Sequence, residues 1–215
     1  MICRQFTFAI LTIGLAAAAT GCSVLAPQPD TSRFFVLTAA AESSQSPAAA
    51  SNRLRPLALG LGPISFPAYL DRRPMVTRIA PNQLKISDTN FWAAPPKEMV
   101  TRVLAQNLVT RLGASQVLPY PWYRTSQLDY AIAVDLDRFE SDGTNALLVA
   151  RWTISKPPDS RALYTGAATI TRPAASTDPQ AVAAALSQAL DSLSQQIAAS
   201  IRKLAIGAGD NHPVM

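Results

Sequence analysis

The chain of 215 residues carries one histidine, His212, and only two cysteines, Cys3 and Cys22. That scarcity excludes histidine-based catalytic triads, histidine-rich zinc sites and dithiol redox motifs. Charge is sparse as well: charged residues make up 15% against 48% hydrophobic, so the chain lacks the charge excess of a disordered protein and has ample material for a core. The 19 Lys plus Arg and 14 Asp plus Glu give a formal +5, yet the basic residues are scattered, and nothing argues for a nucleic-acid partner. After the first apolar run no second one of comparable length follows, which disfavours a permanent transmembrane anchor. The length predicts one domain with accessory segments.

What is present starts at the N-terminus. Residues 1–22 read MICRQFTFAILTIGLAAAATGC, with Arg4 as a positive start and an uncharged apolar stretch from Phe6 to Ala19 that ends in small residues. This is the pattern of a secretory signal. Ala19-Thr20-Gly21-Cys22 resembles the lipobox of bacterial lipoproteins, although Ala19 stands where leucine is usual. A thiol is needed there to carry a diacylglyceryl group, and small neighbours admit the signal peptidase. The alternative is a plain signal peptide cut after Ala18 or Ala19, leaving Cys22 as a free thiol, an oxidation liability in an exported protein. The expected organisation is a lipoprotein signal peptide at 1–21, a Pro-containing tether at 22–32, one domain at 33–207 and a tail at 208–215. Ser23, following the cysteine, points to sorting to the outer membrane, with the domain on its periplasmic face.

Within the domain, Arg33 to Thr38 is dense in aromatic and β-branched residues and reads as a strand, followed by a small, polar surface loop at 39–52. Leu57 to Gly62 reads as a strand ending at Pro63. Met75 to Ile79 and Leu84 to Ile86 read as short strands joined by Pro81-Asn82. Pro95 and Pro96 open a helix whose apolar positions Val100, Val103, Leu104, Leu108 and Leu112 recur at helical spacing until Gly113. A short strand at Ser115 to Leu118 completes a crossover. From Asp129 to Thr171 the period changes to two, with turns at Asp142-Gly143 and Pro157-Pro158-Asp159, which predicts a three-stranded antiparallel meander. Thr177-Asp178-Pro179-Gln180 has capping-box form. Behind it Val182, Leu186, Leu190, Leu193, Ile197, Ile201 and Leu204 trace one apolar stripe until Gly207. A helix covering the sheet is favoured over a coiled-coil partner helix, because Ser and Ala flank the stripe where charges would otherwise sit. The fold class expected is α+β, with a mixed, largely antiparallel sheet and two main helices packed on it.

Chemical motifs are few. Ser200-Ile201-Arg202-Lys203 matches S-x-x-K formally, without the companion motifs of the penicillin-binding enzymes. Asp135 and Asp137 share a strand face but lack the further oxygens a hard cation requires. Trp92, Trp122 and Trp152 are expected in the core, each with its indole N–H satisfied, rather than in a lipid-facing cluster. No metal, no cofactor and no catalytic set is expected. Tyr69, Asp71, Arg72, Arg73 and Arg78 lie in or beside a proline-bounded loop, where either partner contact or intramolecular ion pairing is in keeping with their chemistry.

Tyr69-Leu70-Asp71-Arg72-Arg73-Pro74-Met75-Val76-Thr77-Arg78 resembles the Tyr-Leu-Asp-Arg-Pro block of the PqiC/YmbA family, with one extra arginine. Trp92-Ala93-Ala94-Pro95, Arg102 to Leu108, Tyr120-Pro121-Trp122, Asp129-Tyr130 and Arg138-Phe139-Glu140 continue the resemblance, although Ala94 stands where a glutamate is common. These are auxiliary lipoproteins of MCE-type transporters. The resemblance implies a noncatalytic lipoprotein, attached to the outer membrane by acyl chains on Cys22, that docks an MCE-domain transport subunit, supports envelope integrity and self-associates as a homo-oligomer. The alternative is a lipoprotein that binds a partner in cell-wall or lipopolysaccharide assembly, and a distant third is a serine- or lysine-based hydrolase.

Overall fold

The computed structural model describes residues 29–40, 56–123, 126–158 and 161–209. The expectations for the signal peptide, Cys22, most of the tether and of the 39–52 loop, and the end of the C-terminal tail lie outside those residues. In chain order the elements are β1 (Arg33–Phe35), β2 (Ala58–Ser65), β3 (Pro74–Ala80), β4 (Gln83–Trp92), α1 (Pro96–Leu112), β5 (Gln116–Pro119), β6 (Tyr130–Ser141), β7 (Asn145–Lys156), β8 (Arg161–Pro173) and α2 (Pro179–Gly209). All eight strands belong to one sheet.

That sheet corrects the expectation of a largely antiparallel one. Four of its seven pairings are parallel: β1 with β4, β2 with β5, β2 with β6, and β3 with β6. The physical reason lies in strand direction: β4 runs opposite to β3, β6 and β2 and so ends where β2 begins. From there α1 carries the chain across to the far edge, and β5 starts beside β2 and runs with it, opposite to β4, which corrects the expected crossover. Antiparallel pairing is confined to the β3–β4 hairpin and the β6–β7–β8 meander. The meander follows the predicted alternation, and its first turn uses Gly143 at φ 94°, a conformation that glycine adopts without strain.

Element ends differ from expectation in several places. β1 stops at Phe35, and β2 continues through Pro63 to Ser65 by breaking register with β6 between Leu61 and Ile64. β4 runs to Trp92, absorbing extra residues through a turn in which the Ser87 hydroxyl accepts from the Asn90 N–H at 3.0 Å. Ala39, expected at the start of a surface loop, is buried, and the Ala40 N–H donates to the Asn107 side-chain oxygen at 2.9 Å. The cap of α2 is Asp178 rather than Thr177: its carboxylate accepts from the Gln180 N–H at 2.8 Å, leaving Pro179 to open the helix. The helix passes through Gly207 and ends at Gly209.

Both helices pack together, and α2 lies over β6, β7 and β8. Leu190, Leu193, Ile197 and Ile201 are fully buried, opposite Leu148, Ala150, Trp152 and Ile154 of β7 in the same core. The predicted stripe is therefore the sheet-covering face of α2, as its Ser- and Ala-rich flanks indicated. Trp152 lies so close to β8 that a Cβ on Gly166 would sit 2.3 Å from its ring, so glycine at that position makes room for the indole. The Trp152 N–H is buried with no hydrogen-bond partner among the described residues, which corrects the expectation of a satisfied indole. Trp92 is buried, and Trp122 is half-buried with an edge-to-face contact to Tyr120 at 5.4 Å.

Candidate functional site

A β-bulge builds the centre of the site. Along β6, Ile132, Val134 and Leu136 point into the core, as alternation requires; the register with β7 then slips by one residue between Leu136 and Arg138. One extra residue reverses which parity faces inward. Phe139 consequently takes the core side opposite Leu148, and Arg138 and Glu140 share the other side.

Glu140 is 2% exposed, and an unpaired carboxylate there would be costly. It is not unpaired. The Arg78 guanidinium donates from Nε to Oε1 at 2.7 Å and from its second nitrogen to Oε2 at 3.0 Å. Arg138 donates from Nε to Oε1 at 2.7 Å, and the Tyr69 hydroxyl donates to Oε2 at 3.1 Å. The remaining Arg78 nitrogen donates to the Pro81 carbonyl at 2.7 Å. Burial pushes the Glu140 carboxyl upward, but the hydrogen bonds and charges of Arg78 and Arg138 outweigh it and hold the group below the ordinary carboxylate value. The Tyr69 phenol is raised by burial and then by the Glu140 charge, and Arg78 is raised chiefly by its bond to Glu140.

The loop that carries the sequence-predicted residues is therefore divided. A turn in which the Leu70 N–H donates to the Pro67 carbonyl at 2.9 Å seats Leu70 in the core. Its neighbours Tyr69 and, further on, Arg78 face inward to Glu140. Asp71 is exposed and accepts from the Lys97 N–H at 3.4 Å, at the start of α1, where Pro95 has no side chain to cap the helix. Arg72 and Arg73 point outward and are exposed, with no carboxylate partner among the described residues. Arg73 lies over the Phe34 ring at 5.8 Å.

Beyond Arg78 and Arg138 an open groove of about 670 Å³ is lined by those two residues with Ile79, Ala80, Pro81 and Asp142. Its cations are already committed to Glu140. Asp142 accepts from the N–H groups of Thr144 and Asn145 at 2.8 and 2.6 Å. Burial works against its ionisation, but those bonds prevail and bring its pKa to about 2.

The other motifs are used structurally. The buried Ser200 hydroxyl donates to the Gln196 carbonyl at 3.0 Å, and Asp137 pairs with Arg151 at 3.0 Å. Sequence reasoning placed Arg138-Phe139-Glu140 in a resemblance without identifying Glu140 as the hub of the inward residues. The signal was available in the pattern: the apolar spacing of β6 changes from two to three between Leu136 and Phe139, which marks the bulge. Phe34 was read only as a strand residue.

Among the described residues no helix is long and apolar enough to cross a membrane. No curated protein matches the chain. Solved structures share its fold, among them protein XCC0632 from Xanthomonas campestris, which at 23% identity and a TM-score of 0.60 covers 77% of this chain and 92% of its own. An uncharacterized protein, at 16% identity and a TM-score of 0.62, covers 79% of this chain and 98% of its own. The PelC dodecamer from Paraburkholderia phytofirmans aligns at 11% identity over 67% of this chain and 87% of its own, with a TM-score of 0.41. Residues 35–198, which hold the β6 bulge, the Glu140 cluster and most of the stripe of α2, match the ABC-type transport auxiliary lipoprotein component. The chain belongs to that family, which includes PqiC/YmbA and implies a noncatalytic role, and is an auxiliary lipoprotein component of an ABC-type transport system.

Proposed function

We propose that the chain is the docking subunit of an MCE-type lipid transport assembly, held at the periplasmic face of the outer membrane by acyl chains on Cys22. Its partner is the MCE-domain subunit, and the chain works as a homo-oligomer that supports envelope integrity. The observation that carries this reading is the division of the 69–78 loop. Tyr69 and Arg78 are bound to a buried carboxylate, Asp71 serves the start of α1, and Arg72 and Arg73 are left exposed on a fixed base. Binding residues displayed by a rigid scaffold have this form. The tether raises the effective concentration of the domain at the membrane, so a modest docking surface suffices.

The test is affinity isolation of the lipidated chain from native envelopes. The reading requires an acylated Cys22 at the mature N-terminus and an MCE-type subunit among the bound proteins. An unmodified N-terminus elsewhere removes the anchor from the account. A cell-wall or lipopolysaccharide assembly protein in place of the MCE subunit replaces the transport reading with the envelope-assembly one.

A further inference from the structure

The outward half of the loop meets β1. Phe34 is 58% exposed, and its ring stacks on Phe91 with centroids 5.8 Å apart. Strand pairing brings them together: Phe34 lies opposite Phe91 across β1–β4, and Phe91 lies opposite Pro74 across β4–β3. Arg73, next to Pro74, places its guanidinium over the Phe34 ring. An arginine held against an aromatic ring keeps its planar fork free for a carboxylate and has less freedom to lose on binding.

Five arginines, Arg33, Arg78, Arg111, Arg138 and Arg151, are each paired with a carboxylate of the chain. Arg72 and Arg73 are not among them. Their exposed charges therefore call for a carboxylate from outside, and the exposed Phe34 ring under Arg73 calls for an apolar side chain. A broad anionic bilayer would also meet the exposed carboxylate of Asp71, next to Arg72 in the chain. A narrow peptide avoids it. We propose that Phe34, Phe91, Arg72 and Arg73 form a receptor for an acidic segment of the transport partner, with a carboxylate on the Arg73 fork and a neighbouring apolar side chain on the Phe34 ring. This rests on the 69–78 loop being the docking surface.

The experiment places a photoreactive benzophenone amino acid at position 34 of the full-length lipidated chain in native membranes, and maps the crosslinks by mass spectrometry. Crosslinks are expected on a partner segment that carries Asp or Glu beside an apolar residue. Their yield should fall about tenfold when Arg72→Glu and Arg73→Glu are added, and return when the mapped acids are changed to lysine. Unchanged thermal unfolding of the charge-reversed chain shows that the loss is not misfolding. Crosslinks to phospholipid, to a partner segment without acids, or with a yield indifferent to charge reversal overturn the proposal and leave the docking reading standing. So does an absence of crosslinks while the partner still co-isolates. If the partner does not co-isolate with the unaltered chain, both fall.

Discussion

The half of the sheet under α2 and the corner around Glu140 bury their residues by opposite means. Under α2, aliphatic side chains meet apolar side chains of β7, Trp152 among them, and the α2 stripe can be traced to a repeat visible in the chain. At Glu140 a carboxylate is buried to 2% exposure, and its desolvation is offset by donors from two distant segments, 71 and 62 residues away, and from its own strand. The first arrangement is tolerant of detail and intolerant of charge. The second is tolerant of water at its rim and intolerant of losing its one anion, because the same carboxylate orders both the loop and the hairpin that follows it.

The largest effect should come from placing a charge in the first region. Leu193 is fully buried, and Leu193→Asp should cost more than about 4 kcal/mol out of a total that is typically about 5 to 15. Circular dichroism melting should show a chain that is largely unfolded or strongly destabilised, and a melt like that of the unaltered protein would mean that the stripe does not face the sheet.

Removing the anion should come second. Glu140→Ala leaves Arg78 and Arg138 facing each other, but their side chains are 22% and 40% exposed and can turn to water. The cost should therefore be about 2 kcal/mol in urea unfolding, below the 3 to 5 typical of breaking a wholly buried pair.

Acid should sharpen the same contrast. The folded-state value of Glu140 is depressed below its unfolded value near 4.5, so its contribution is fully present above that value and is lost as pH falls through the depressed one. The stability gap between the unaltered protein and Glu140→Gln should be constant above about pH 5 and narrow below it. Asp142, depressed from 3.8 to about 2, should lose its contribution as pH falls between those values, and Asp142→Asn should flatten that last part of the acid profile. A gap that widens on acidification would reverse the assigned direction. The smallest effect on stability belongs to the outward residues. Arg72→Glu with Arg73→Glu should change unfolding by no more than about 0.5 kcal/mol, while removing partner capture.

The two regions also differed in how far the sequence revealed them. α1, α2 and the meander follow local periodicity, so the stripe from Val182 to Leu204 and the Asp142-Gly143 turn were both legible. Parallel pairing was not: no local feature of Leu59 or Leu61 says that β5 and β6 will flank them. The sequence places the five residues in or beside one loop, but their division was hidden, because Tyr69 and Arg78 turn inward only when a bulge far along the chain presents Glu140. Arg73 could be counted as a cation, but its seat on Phe34 depends on β1 pairing with β4.

The most direct measurement compares two double variants side by side, Tyr69→Phe with Arg78→Gln and Arg72→Glu with Arg73→Glu, recording thermal unfolding and capture of the MCE-type subunit for each. The inward pair should lower the unfolding temperature, and the outward pair should leave it unchanged while abolishing capture. If the outward pair still captures the subunit, or if both pairs lose stability alike, the division of the loop into a holding half and a docking half is contradicted.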